Sequence, residues 1–287
     1  MGSHEGTNPG FGIVNGLIPS RLMAGGHGVE SHWSAFDADG IQRLVTAEDR
    51  HFWFRARNEI IAALARRPVQ DLQDGFRILE VGCGSGNVLR VLQRLSDGRG
   101  VVEGLELSAE AAAVARARTG LAVTDGYLSD LDPSAAFDIV AAFDVLEHIA
   151  DEAGVLGEIR GCLRPGGRLI LTVPAHQSLW SAFDVASGHE RRYTRATLTR
   201  ALRRSGFAVE YMTYFMSLLF PMIWVRRRLL REPDRDMGAL LDSEFQIVPG
   251  LNAVAYQMLR QEAHVIAARR HLPMGASIIA IAAPIRP

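Results

Sequence analysis

From Gly75 onward, short apolar runs alternate with stretches whose apolar residues recur at helical spacing. The runs predict strands over 77–81, 101–106, 121–124, 137–143, 168–174, 207–214 and 277–283, with helices near 87–95, 108–118, 151–163 and 195–205. Strands and helices taken in turn make a parallel sheet covered on both faces, and such sheets bind ligands at the carboxyl ends of their strands. Arg164-Pro165-Gly166-Gly167 reads as the end of one helix and a turn into the next strand, and Ser205-Gly206 ends another. A helical segment, about 41–66, precedes the sheet and carries Phe52, Trp53 and Phe54 beside Arg55 and Arg57. It reads either as a lid over a site or as a helix with its charges in water.

An insertion separates the last two strands. Its second part, about 251–270, reads as a helix that could pack on the first part as a hairpin cap. The first part, from Phe215 to Arg228, contains Pro221 and is too short to span a bilayer. A lid over an apolar substrate pocket, a contact in a homodimer and a membrane-surface helix anchored by arginines compete as its reading. The organisation expected is a flexible segment 1–40, a helical cap 41–74, a ligand-binding domain 75–215 with 273–287, and a helical insertion 216–272.

A formal net charge of −1 gives no electrostatic case for nucleic acid as a partner. All 31 basic residues other than histidine are arginine, which excludes lysine nucleophiles and Schiff bases. Cys83 and Cys162 have neither disulfide-framework nor metal-ligand spacing, and a reducing cytoplasm fits them best. Met1 to Gly12 lacks the basic and apolar regions of a signal peptide.

The chemistry concentrates at four strand ends. After the first strand comes Gly82-Cys83-Gly84-Ser85-Gly86-Asn87, a glycine turn opening a helix, where backbone can approach a ligand closely. Its G-x-G-x-G spacing departs from the dinucleotide fingerprint. The carboxylate of Glu80 beside it disfavours a polyphosphate and suits a cofactor with an amino group. Glu106 closes the second strand, placed to accept hydrogen bonds from two ribose hydroxyls. Asp125-Gly126 closes the third, where an acid can take an exocyclic amine. Phe143-Asp144-Val145-Leu146-Glu147-His148-Ile149 follows the fourth.

Together with Leu163-Arg164-Pro165-Gly166-Gly167-Arg168-Leu169, these motifs make residues 76–215 and the last strand resemble the class I S-adenosylmethionine-dependent methyltransferases. The aromatic–arginine helix before the first strand is similar to the cofactor-covering segment of the ubiquinone-biosynthesis type of small-molecule O-methyltransferase. The resemblance implies a doubly wound α/β fold with a seven-stranded, mostly parallel sheet of order 3-2-1-4-5-7-6 and strand 7 antiparallel. It implies S-adenosylmethionine as cofactor, S-adenosylhomocysteine as product, and an acceptor that is a small molecule. It puts the methionine amino group near Glu80, Gly82 and Asp144, the ribose on Glu106, and the adenine near Asp125 and Gly126. Arg57 is the candidate for the methionine carboxylate; Cys83, Gly84, Gly86, Asn87, Leu107 and Val145 complete the expected cofactor contacts.

A sulfonium is already a strong electrophile, so the protein has to align an acceptor and in some reactions remove its proton. The loop 175–194 is dense in titratable and aromatic groups. His189 is the candidate general base, oriented by Asp184 or Glu190, with His148 as a further catalytic candidate. Trp53, Arg55, His176, Trp180, Arg192 and Tyr193 are candidates for an apolar or aromatic acceptor's pocket. A plainer reading has His189 and Tyr193 tether the loop, with Thr194 capping the next helix. A metal on Glu147, His148 and Asp184 matches no standard spacing, and none is expected. Transfer to a hydroxyl or carboxylate oxygen is the leading expectation. N-methylation, a nicotinamide-dependent oxidoreductase and a non-catalytic cofactor-binding partner subunit are the alternatives.

Overall fold

The computed structural model describes residues 38–229 and 246–285. Most of the segment 1–40, and residues 230–245 of the insertion, lie outside the described residues. The strands are β1 (Arg77–Val81), β2 (Val101–Glu106), β3 (Val123–Asp125), β4 (Phe137–Phe143), β5 (Leu163–Pro174), β6 (Phe207–Phe215) and β7 (Ser277–Pro284). They form a 7-stranded sheet in the order β3-β2-β1-β4-β5-β7-β6, with β7 antiparallel to both neighbours and the other pairings parallel, as expected.

Alternation along the strands builds two cores. Ile78, Val102, Ile139, Ile170 and Ile279 meet α2 (Phe52–Gln70), α3 (Leu89–Ser96), α4 (Ala109–Thr119) and α9 (Pro249–Ala267) through residues such as Ile60, Leu64, Leu92, Ala115 and Leu259. Leu79, Val140, Leu169, Leu171 and Ala280 face the other way, onto Val155 and Ile159 of α5 (Glu152–Cys162) and Leu198 and Leu202 of α7 (Arg195–Arg204). Both faces are therefore apolar, and polar chemistry is confined to the strand ends.

Three elements differ from expectation. The N-terminal segment is two helices, α1 (Ala38–Arg50) and α2, broken at His51. His51 has extended backbone, and its Nδ1 accepts the Trp53 N–H at 3.3 Å as a cap. Asn252 of α9 holds the joint: its Oδ1 accepts the Phe52 N–H at 2.8 Å and its Nδ2 donates to the Arg50 carbonyl at 3.1 Å. Strand β5 starts at Leu163, paired with Phe137, so the Pro-Gly-Gly stretch is an irregularity within the strand. Gly166 there has φ 87, which glycine adopts without a Cβ penalty. Strand β3 starts at Val123, the first residue to face Gly104 of β2. In the insertion, α9 lies along α2, α8 (Phe220–Leu229) leans on the turn Gln177–Leu179, and Glu262 of α9 accepts the Ser217 and Leu218 N–H groups at 2.8 and 3.0 Å. Among the described residues no helix is long and apolar enough to cross a membrane.

Candidate functional site

The carboxyl ends of β1, β2 and β4 converge on the glycine turn. Glu106, at the end of β2, is buried; its Oε2 accepts the Gly84 N–H at 2.8 Å and its Oε1 the Ser108 N–H at 2.9 Å. Burial raises its carboxyl above the ordinary range against the pull of those backbone donors. Glu80 is 2% exposed, and its Oε2 has no hydrogen-bond partner. Burial pushes this carboxyl well above its usual range; Arg57 acts in the opposite direction, and Glu48 and Glu106 add to the rise.

The glycines of the turn divide their work. A Cβ on Gly86 would come within 3.2 Å of the Ala115 backbone, so this position lets α4 pack close. Gly82 is closed off by Val145 in the same way. Only Gly84, at φ +53, has nothing within 4 Å of its would-be Cβ, so it is the face of the turn open to a ligand. The Cys83 side chain points into the core, 2.8 Å from the position a Cβ on Gly104 would take, and burial raises its thiol. Only the Cys83 backbone is left for the site.

Helices α1 and α2 roof this floor. Arg57 pairs with Asp144 at 2.5 Å, and the Thr172 hydroxyl donates to the other Asp144 oxygen at 3.0 Å. Asp144 holds φ 56, a left-handed conformation that non-glycine residues adopt at a cost. Arg57 lies 5.5 Å from the Trp53 ring, and its buried Nε has no partner. Glu48 of α1 accepts hydrogen bonds from the Ser85 hydroxyl and from Arg118, whose Nη1 is 2.6 Å away, while Asp49 pairs with Arg90 and Arg118. This clasp binds α1 to the glycine turn. Asn87 accepts from Asn58 of α2 at 3.1 Å. Glu48, Asn58, Ser85 and Arg118 are site residues that sequence reasoning missed, because α1, α2, the turn and α4 meet only in the fold. Asp125 is exposed at the rim, 3.8 Å from Arg116, with Gly126 beside it and Leu107 half-buried after β2.

A second polar cluster lies where the loop 175–194 folds back on the end of β4. Asp184, in α6 (Ala182–Ala186), is fully buried. Its Oδ1 is 2.8 Å from His189 Nδ1 and 2.7 Å from Arg192 Nε; its Oδ2 accepts from Arg192 Nη2 at 3.0 Å and from the Ser181 backbone at 2.9 Å. Burial alone would raise this carboxyl, but the His189 bond and the Arg192 charge outweigh it and hold the group well below the usual range. Next to the pair, His148 packs edge-on against His189 with ring centroids 4.6 Å apart. Burial, then His189, lowers His148 to about 3. Glu147 is 1% exposed, its Oε2 unpartnered, and burial followed by the Asp144 charge raises it. Glu147, His148 and His189 offer donor atoms within 4.8 Å of one another. Asp184 stands behind His189 and not among these three.

Of the other expected acceptor contacts, Arg55, Arg192 and Tyr193 are engaged within the fold. Arg55 lies 4.0 Å over the Tyr256 ring, so the structure keeps it on the outer face of α2. Tyr193 is buried, donating to Glu152 at 2.7 Å, and its phenol is raised by burial and that bond. Arg192 is committed to Asp184. Thr194 caps α7, its Oγ1 accepting the Thr197 N–H. His176 stacks on Tyr214 at 5.0 Å and meets Phe220 of α8 at 5.3 Å, which joins the loop to the insertion. Trp180 is half-buried in the same loop.

Comparison with known proteins gives one family: a profile described as a methyltransferase domain matches residues 46–211. A Mycolicibacterium smegmatis protein named as an S-adenosylmethionine-dependent methyltransferase is 30% identical over 181 residues, 62% of this chain and 67% of that protein. A ubiquinone biosynthesis O-methyltransferase of Bradyrhizobium sp. (strain ORS 278) is 35% identical over 117 residues, 39% of this chain and 44% of that enzyme. The chain thus matches less than half of the second relative's length. Among solved structures, a chain from the complex between the Haloferax volcanii Trm112 methyltransferase activator and a methyltransferase superposes with TM-score 0.56 at 22% identity, covering 90% of this chain and 100% of that one.

Proposed function

The chain belongs to the S-adenosylmethionine-dependent methyltransferases, and we propose that it transfers the methyl group to an oxygen of a small apolar or aromatic acceptor. Bound S-adenosylmethionine supplies an electrophilic methyl group on a sulfonium. The unpartnered polar atoms beside the glycine turn fit its aminoacyl end. Glu80 Oε2 takes the ammonium, Arg57 the carboxylate and Glu106 the ribose hydroxyls, while the open face of Gly84 gives the nucleoside room. Asp125 and Gly126 lie on the adenine side. The cap 41–74, the loop 175–194 and the described parts of the insertion, 216–229 and 246–272, would enclose the acceptor, with Trp53, His176 and Trp180 among its walls.

The observation that carries oxygen over nitrogen is the cluster of Glu147, His148 and His189. A neutral amine attacks without prior loss of a proton, whereas a hydroxyl has to be ionised. The cluster is where that ionisation takes place, with Asp184 as a positioning residue that fixes the His189 ring. Incubation with methyl-labelled cofactor and a panel of phenols, catechols, carboxylic acids and amines is expected to place label on oxygen. Labelling of amines alone would sink the reading.

Cofactor binding is also expected to release a proton. Burial favours the protonated form of Glu80 in the free protein, and an ammonium against it favours the carboxylate. Affinity for S-adenosylhomocysteine then rises with pH until the free-state Glu80 ionises unaided. Calorimetry in buffers of different ionisation enthalpy reads the released proton directly. A binding enthalpy that is the same in all of them would show that Glu80 does not meet the ammonium.

A further inference from the structure

We infer that the hollow between the end of α2, the end of α9 and the edge strand β6 binds a small phosphorylated molecule by its phosphoryl group. Two cavities of about 500 and 440 Å³ share Glu210, Tyr211 and His271 there. The place is separate from the cofactor site. Arg67 on its wall is ten residues along α2 from Arg57, about 15 Å away on the helix axis.

The case begins with a residue in an awkward position. Helix α9 ends in a Schellman turn, in which the Arg269 N–H donates to the Ile266 carbonyl at 2.9 Å and the Arg270 N–H to the Val265 carbonyl at 3.0 Å. Arg269 holds the left-handed position of that turn, φ 56, where glycine is the usual residue and a side chain carries a conformational cost. Strain of this kind points to a side chain with a task. Capping α2 is part of it: Arg269 Nη2 donates to the Leu64 carbonyl at 3.3 Å, and the guanidinium lies 5.1 Å over the Tyr211 ring. Arg269 Nη1, however, is buried with no partner. A buried donor without an acceptor is costly, and an anion supplies the acceptor.

The charge of the lining names the anion. Arg67, Arg168, Arg195 and Arg269 face two carboxylates, Asp71 and Glu210, which leaves an excess of two positive charges in a chain whose formal net charge is −1. Each acid is paired with an arginine other than Arg269: Glu210 with Arg168 at 2.8 Å and Asp71 with Arg67 at 3.8 Å. A phosphate monoester brings two negative charges and balances the excess, whereas a carboxylate balances half of it. Planar guanidinium groups also match phosphoryl oxygens in bidentate geometry. An aromatic wall stands beside the cations for the organic part of the ligand. Tyr211 and His271 stack at 5.2 Å with their planes 24° apart, and His271 is fixed by Nδ1, which donates to the Met212 carbonyl at 3.0 Å. The register of β6 on β7 shifts between Val209 and Tyr211, an irregularity of the kind that re-aims side chains at a sheet edge.

Calorimetry on the full chain with inorganic phosphate and with phenyl phosphate, at fixed ionic strength, tests the site. Saturable binding of both is expected, the phenyl ester tighter. Arg269→Gly gives the turn its usual residue, so the variant is expected to stay folded and to lose about tenfold or more in affinity. Arg195→Gln, on the opposite wall at the exposed start of α7, is expected to weaken binding severalfold. Both variants are expected to bind S-adenosylhomocysteine as the wild type does, since neither touches the glycine turn. The absence of saturable phosphate binding by the wild type, or wild-type affinity in both variants, would overturn the site. Should Arg269→Gly not fold, Arg195→Gln decides alone, and unchanged affinity in it overturns the inference. Retention on phosphatidic acid vesicles without binding of either soluble phosphate would assign the arginines to a lipid headgroup and overturn the small-molecule reading.

Discussion

Glu106→Ala is expected to weaken S-adenosylhomocysteine binding by about a hundredfold or more. Each Glu106 oxygen already accepts one backbone N–H, from Gly84 or from Ser108, and keeps a second lone pair for a ribose hydroxyl. A hydrogen bond to a charged group contributes about 1.5–3 kcal/mol, so losing two removes roughly 3 kcal/mol or more. The same truncation unties the Gly84 N–H, and Gly84 is the face of the turn that is open to a ligand. Glu106→Gln keeps the shape and one acceptor oxygen but sets its NH2 against the Gly84 or the Ser108 N–H, so its loss is expected to be at least about tenfold. Calorimetry with S-adenosylhomocysteine measures both. Near-normal affinity in the alanine variant would take Glu106 out of the site.

The cofactor half of the site was legible in the sequence because each of its parts is local. A strand, a glycine turn and an acid at the next strand's end follow one another along the chain, and parallel topology brings strand ends together without further information. Thus Glu80, Gly84, Glu106 and Asp144 are placed by the sheet itself. What stayed hidden depends on pairs distant in sequence. The clasp of Glu48 and Asp49 on Ser85, Arg90 and Arg118 joins three elements, and neither acid carries a mark that sets it apart from a solvated charge. The break at His51 has no glycine or proline to announce it; it depends on Asn252, far along the chain. The G-x-G-x-G turn promised three glycines facing a ligand, yet two of them exist for packing, which only the positions of Val145 and Ala115 reveal. Arg55 and Arg57 look equivalent in sequence. Their spacing on α2 sends one to Tyr256 and the other to Asp144.

The loop 175–194 has a hub whose removal is expected to cost the whole protein stability. Asp184→Asn leaves the Arg192 guanidinium, 11% exposed, facing a neutral amide, and takes from His189 the charge that fixes its ring. Removing one partner of a buried ion pair costs about 3–5 kcal/mol, because the surviving charge is stranded. Urea unfolding at neutral pH is expected to show a loss of this size, and the pH dependence identifies its origin. The folded-state value of Asp184 is held well below its ordinary 3.8, so its contribution is fully present above the unfolded value and drains away as pH falls through the folded one. The gap between wild type and variant should therefore narrow as pH drops below about 4. An equal gap at neutral and acid pH would assign the loss to shape and not to charge. The hub also ties stability to function. Asp184 fixes His189, whose ring packs against His148 beside Glu147, so a single buried carboxylate both closes the loop and sets the geometry of that cluster.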